Sequence, residues 1–169
     1  KARKSWFFFD EEYVCLGTDI RSRADLPVAT TVNQALLRGD VTILQDGEVK
    51  KLPRGNHELN GVKFVHQDKV GYIFPSPTTI QLSNQEEQGR WSDITDQKNI
   101  STEVVHMDVF KLWFDHGKHP DSASYQYIVV PGVTEQALQE TSGNNRGIEI
   151  ITNNADVQAV SNRKMGITQ

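Results

Sequence analysis

Two apolar runs, Trp6 to Phe9 and Tyr13 to Leu16, flank an acidic turn at Asp10, Glu11 and Glu12. In a strand that is half exposed, every second side chain faces water, so an uninterrupted apolar run needs cover on both sides. The opening therefore predicts a hairpin buried on both faces. A hairpin of that kind belongs inside a stack of sheets, and the expected fold class is all-β.

The chain has 169 residues, enough for one domain that removes roughly two-thirds of its unfolded surface from water. A formal charge of −4, with the signs interspersed, leaves no basic stripe and argues against nucleic acid as a partner. The single cysteine, Cys15, lies within an apolar run, so a disulfide scaffold is excluded and the thiol reads as a small buried hydrophobe. No stretch approaches the roughly 20 apolar residues of a membrane-spanning helix. Lys1 opens directly into core-like sequence, and the chain carries no signal-peptide pattern.

Turn chemistry divides most of the chain into strands. Asp46-Gly47 separates Val41–Leu44 from Val49–Leu52 and supplies the positive φ of a tight hairpin. Asn60-Gly61 is a second turn signal, followed by Val62–His66 and Val70–Phe74 around Gln67-Asp68-Lys69. Pro75 and Pro77 close this region, since proline cannot donate to a central ladder. Ser83 to Gly89 is polar and reads as an exposed loop leading to Trp91. A long strand is predicted from Glu103 to Asp115, which implies a wide, twisted sheet. Ser124 to Val130 gives another strand, and two more are expected over 147–151 and 157–160. Only Thr134 to Glu140 reads as helix, with Thr134 as cap and Gly143 beyond its end.

Lys4-Ser5-Trp6-Phe7-Phe8-Phe9-Asp10, continuing to Val14, Leu16 and Gly17, resembles a stretch in the β-sheet domain of polysaccharide lyase family 8. That family includes the chondroitin AC, hyaluronate and xanthan lyases. Further likeness follows in the same order: Thr30-Thr31 with Gln34; His66 to Phe74 through Gly71 and Tyr72; and Gly89-Arg90-Trp91 with Ile94. Asp115-His116-Gly117 with Pro120, Tyr125 and Tyr127 with Pro131, and Ile148-Glu149-Ile150 with Asn153 complete the series. Tyr13 departs from the pattern, where an aliphatic residue is usual. The resemblance implies a large antiparallel multi-sheet sandwich, the galactose-mutarotase-like super-sandwich, with at most one short helix. It also implies that residues 1–169 are part of a single sandwich domain, truncated at both ends relative to a parent with a helical toroid.

The same likeness implies β-elimination on an acidic, glycosaminoglycan-like polysaccharide by a secreted or periplasmic bacterial enzyme. That chemistry needs a group to neutralise the uronate carboxylate, a base for the C5 proton and an acid for the leaving oxygen. The family draws asparagine, histidine, tyrosine and arginine from its helical domain, with a supporting glutamate early in its sheet domain. None of those motifs occurs in this sequence, so no catalytic residue is carried over and no cofactor is expected.

The residues offer several candidates of their own. Arg90 beside Trp91 pairs a guanidinium suited to a sugar carboxylate or sulfate with a ring that stacks on a pyranose face. These two are the expected substrate-binding residues; core packing is the competing reading of Trp91. His116 and His119, with Asp115, have a spacing that zinc sites use, but Gly117 and Pro120 mark a turn and no metal site is expected. His66 and His106 read as satisfied histidines on strands, and His57 as a loop residue. The clusters Asp10-Glu11-Glu12 and Glu86-Glu87 read as solvated acids. Asn99-Ile100-Ser101 matches a glycosylation acceptor, relevant only in a eukaryotic secretory setting. The leading expectation is a sheet segment that lines the cleft and docks the helical domain; the alternative is a self-standing carbohydrate-binding module. Exposed apolar edges, with self-association, are expected of the former.

Overall fold

The computed structural model describes residues 1–169. In the first half lie β1 (Arg3–Phe8), β2 (Tyr13–Ile20), β3 (Pro27–Leu36), β4 (Thr42–Gln45), β5 (Glu48–Lys51), β6 (Asn56–Asn60), β7 (Phe64–Gln67) and β8 (Val70–Ile73). Two long strands follow, β9 (Thr79–Gly89) and β10 (Val105–Lys118), then β11 (Ala123–Pro131) and one helix, α1 (Glu135–Ser142). The last strands are β12 (Ile148–Asn153), β13 (Gln158–Asn162) and β14 (Ile167–Thr168). They form three antiparallel sheets, ordered β1-β2-β11-β8-β7-β4-β5, β3-β10-β9-β6 and β12-β13-β14.

The seven-stranded sheet is the middle layer. Cys15, Val65, Tyr72, Tyr125, Tyr127 and Val129 point from one face into a core shared with Leu82, Phe110, Leu112 and Phe114 of the second sheet. Their sequence neighbours Val14, Leu16, Phe64, Ile73, Ile128 and Val130 point the other way, against Leu138 of α1 and Ile148 and Val160 of the third sheet. Period-two alternation thus sends each apolar run into two cores at once. That is why the segments Val14–Leu16 and Ile128–Val130 of these paired strands carry no polar residue.

Three hairpins form as the turn signals predict, β1–β2, β4–β5 and β7–β8. The last turns at Asp68 and Lys69, both at positive φ. Asn60-Gly61 acts differently: it carries the chain from β6 in the second sheet to β7 in the first. Thr134 caps α1 by accepting a hydrogen bond from the Ala137 amide, and Gly143 is right-handed, so it ends the helix without a left-handed cap.

Several expectations are corrected. The opening hairpin is buried on both faces only along β2; Trp6 and Phe8 are 55% and 67% exposed, because β1 is an edge strand whose Phe7 alone enters a core. Ser83 to Gly89 is not a loop but the second half of β9, paired with β10 along its length. Its polarity reflects position: Ser83 and Asn84 are buried, whereas beyond them the two-stranded ribbon projects past the core. His57 likewise lies on β6, with its ring N–H donating to the Pro53 carbonyl. Gly117, with φ 68, sits in a bulge of β10 rather than in a turn between strands.

Gly17 faces Tyr125 across the β2–β11 ladder, and a Cβ at that position would overlap the tyrosine ring. That ring is wedged between Phe114 and Tyr127 and has no room to move. Gly17→Ala is expected to cost about 1–3 kcal/mol through overpacking. Thermal unfolding measures it, and an unchanged midpoint would refute the close approach.

Candidate functional site

Arg90 and Trp91 lie where β9 leaves the ribbon. A single 3-10 turn, Trp91–Asp93, is closed by the Asp93 and Ile94 amides donating to the carbonyls of Arg90 and Trp91 at 3.2 Å each. Trp91 is 56% exposed, which rules out core packing. Its ring forms one wall of a shallow groove of about 270 Å³, together with Ile94, Val105, Met107 and Val109. Arg90 is exposed at the rim and makes no ion pair, so its guanidinium is open to an anion. Arg90 and Trp91 thus line the same groove. Its apolar walls, supplied by the first residues of β10, are an addition that the sequence did not place beside them.

The Asp115–Pro120 segment does not converge. His116 shares a 2.8 Å hydrogen bond with the Thr30 hydroxyl and lies parallel to the rings of Phe114 and Tyr125. Burial pushes its pKa down, against the opposing pull of Asp115, so the imidazole stays neutral. Asp115 accepts from the Gly117 amide, while His119 faces Asp25 at 3.6 Å. No three His, Cys, Asp or Glu side chains are arranged as a metal-ligand set. His66 donates from its ring N–H to the Val133 carbonyl, and His106 sits 3.1 Å from Glu86 across the ribbon.

The tyrosines are core residues. The Tyr72 hydroxyl accepts from the Asn33 amide, and burial pushes its pKa up to about 12. Burial raises Tyr125 to about 12 as well, and Tyr127 further. A phenol so placed neither meets a polymer nor ionises near neutrality. Burial likewise raises the Cys15 thiol, which is 2% exposed.

One charged cluster escaped the sequence. Glu12 is 8% exposed, not solvated, and accepts from Arg146 Nε at 3.0 Å and from the Asn162 amide at 3.1 Å. Arg146 also donates to Glu11 and to the Thr141 hydroxyl. The acidic turn is thus clasped to the end of α1 and to the third sheet. Glu86 and Glu87 are on a strand, and Glu87 pairs with Lys111 at 3.0 Å. Only the register of β9 against β10, or a fold that returns Arg146 to residue 12, could have revealed either pairing.

Three stacked antiparallel sheets with one short helix define a multilayer β-sandwich, presenting an exposed arginine–tryptophan edge. The chain belongs to polysaccharide lyase family 8: that family's super-sandwich domain matches residues 1–142. It is 36% identical to chondroitinase-AC of Pedobacter heparinus, over 100% of this chain and 24% of the relative. Against xanthan lyase of Bacillus sp. (strain GL1) the identity is 32%, over 98% of this chain and 19% of the relative. Among solved structures, a chondroitinase AC lyase from a study of enzyme–oligosaccharide complexes superposes with TM-score 0.88 at 34% identity, over 99% of this chain and 24% of that one. Paenibacillus xanthan lyase gives TM-score 0.87 at 27% identity, over 99% and 17%. The chain spans about a quarter or less of the length of these relatives. No helix is long and apolar enough to cross a membrane.

Proposed function

We propose that this chain is an interior part of the central β-sandwich of a secreted or periplasmic bacterial enzyme that depolymerises an acidic polysaccharide by β-elimination. The observation that carries the reading is likeness along its whole length to chondroitinase-AC, at 36% identity. The sandwich forms one wall of the substrate cleft, and the proton-transfer groups come from the helical domain of the parent. Two exposed features support a surface built to meet something else: Trp6 and Phe8 on the edge strand, and the groove beside Trp91. At that groove Arg90 pairs with a sugar carboxylate or sulfate while Trp91 stacks on the ring. The apolar walls Ile94, Val105 and Met107 give this edge a second use, docking the helical domain.

The chain incubated with chondroitin sulfate, hyaluronan or xanthan is expected to release no unsaturated uronate, read by its ultraviolet absorbance. A saturable signal would overturn the assignment of catalysis to the parent's other domain. In the parent enzyme, Arg90→Ala and Trp91→Ala are each expected to weaken polymer binding by about 1–3 kcal/mol, seen as a raised KM. Unchanged KM in both variants would remove the pair from the substrate path. A self-standing carbohydrate-binding module is the alternative. It predicts that the chain alone binds polymer through Arg90 and Trp91 as tightly as the parent does.

A further inference from the structure

At the end of β10 remote from Trp91, two contiguous hollows of about 320 and 650 Å³ run between the β2–β3 connection, the start of β3 and the β10–β11 turn. They adjoin at Lys1, Arg21 and Ser22, and the pair is treated as one groove. Its lining holds the cations Lys1, Lys4, Arg21 and Arg23 against one carboxylate, Asp121. In a chain with formal charge −4, this is a local reversal of sign. β-pairing creates it: the Arg21 amide donates to the Lys1 carbonyl, which brings together residues 20 positions apart in sequence. The Ser22 amide donates to the Pro120 carbonyl and fixes the far wall.

The groove is ordered from beneath. Asp19 is 5% exposed and sits in the left-handed region, φ 53, where β2 holds one residue more than β11 opposite it. This bulge turns the carboxylate to the Lys1 ammonium at 2.8 Å and to the Arg21 guanidinium. The hydrogen bond from Lys1 and the charge of Arg21 hold the Asp19 carboxyl below its usual range, so it stays ionised beneath them. Lys4 lies 5.9 Å over the Tyr125 ring. Lys4 and Arg23 have no carboxylate partner within 4.0 Å, whereas Lys118 and His119 across the groove share Asp25.

We infer that this groove is a second binding site for an acidic polysaccharide, taking its sulfate or carboxylate groups on Lys4, Arg21 and Arg23. Arginine's planar fork suits both groups, and clustered like charges in a hollow focus the field on an approaching polyanion. No exposed aromatic lines the groove, which disfavours the base stacking that single-stranded nucleic acid uses. β10 has 14 residues at about 3.3 Å each, so the groove and Arg90–Trp91 lie roughly 40 Å apart. One polymer chain held at both places would be anchored beyond the cleft as well as along its wall. The inference rests on the polymer being acidic, as proposed above, but not on Arg90 or Trp91.

The test is fluorescence anisotropy of the 169-residue chain with labelled chondroitin sulfate fragments at low and raised salt. Inorganic sulfate and a single-stranded oligonucleotide serve as competitors. Lys4→Gln/Arg23→Gln, two surface changes, is expected to weaken binding about tenfold and flatten its salt dependence, while Arg90→Ala leaves this component intact. Binding by the double variant equal to the native chain, or no binding by the native chain at low salt, overturns the groove. Loss of binding in Arg90→Ala alone would sink the groove and leave the cleft reading standing; loss in the double variant alone supports the groove, while the cleft reading is decided separately by KM in the parent. Displacement by inorganic sulfate at equal strength, or by the oligonucleotide, would replace the polysaccharide with a simple anion or a nucleic acid.

Discussion

Arg146→Ala is expected to destabilise the chain by about 3–5 kcal/mol, because it leaves the buried carboxylate of Glu12 without its counter-charge. Both side chains are within a tenth of full burial, and the Nε–Oε2 distance is 3.0 Å. Glu11 lies on the same guanidinium but is 74% exposed, so Glu11→Ala should cost no more than about 1 kcal/mol. Arg146→Met combined with Glu12→Gln should recover most of the loss, since the amide keeps the Asn162 neighbour without a stranded charge. Urea unfolding of the four chains ranks them. Equal costs for Arg146→Ala and Glu11→Ala would show that the clasp contributes nothing beyond a surface ion pair. The clasp matters for the architecture because it ties the β1–β2 turn to α1 and the third sheet, fixing the outer layer on the central one.

Much of this architecture follows from local chemistry. Asp46-Gly47 supplies its own positive φ, and Thr134 its own cap, so each specifies its turn without help from distant residues. The double burial of β2 was legible because the run Tyr13–Leu16 carries no charged or amide side chain and so has only one stable environment. Burial at sheet edges was not. Trp6 and Phe8 have the composition of a central strand, but their exposure depends on β1 having a partner on one side only. Glu12 is identical in kind to Glu11 beside it, and only the return of Arg146 separates a buried acid from a solvated one. β9 misled for a related reason: a ribbon that outruns its core keeps the hydrogen-bond ladder and loses the apolar alternation. The same projection puts Val105 and Met107 beside Trp91, so the ring and arginine could be picked from the sequence while their walls could not.

Phe114→Ala should have a comparable effect, about 3–5 kcal/mol, as expected for emptying a ring-sized volume in a packed core. Phe114 is 4% exposed and joins the first two sheets through an edge-on contact with Phe74, a closer, more nearly parallel one with Tyr125 and a tilted one with Tyr127. No single neighbour can fill the space, because Tyr125 is already held against Gly17 across the ladder. Phe114→Leu keeps most of the volume and should cost less than half as much, so the ratio of the two losses isolates the cavity from the lost ring contacts. Near-ultraviolet circular dichroism should fall in both variants, since the coupled tyrosine rings lose their common neighbour. A loss below about 1 kcal/mol for the alanine variant would mean that the sheets close over the gap. The consequence would extend past stability: His116 lies parallel to Phe114 and bonds Thr30, which lines the cationic groove beside Lys4. A core that relaxes at Phe114 moves the floor on which those cations are arranged. Polyanion affinity should therefore fall in Phe114→Ala even where the chain remains folded, whereas Arg146→Ala, acting on the opposite side of the central sheet, should leave it unchanged.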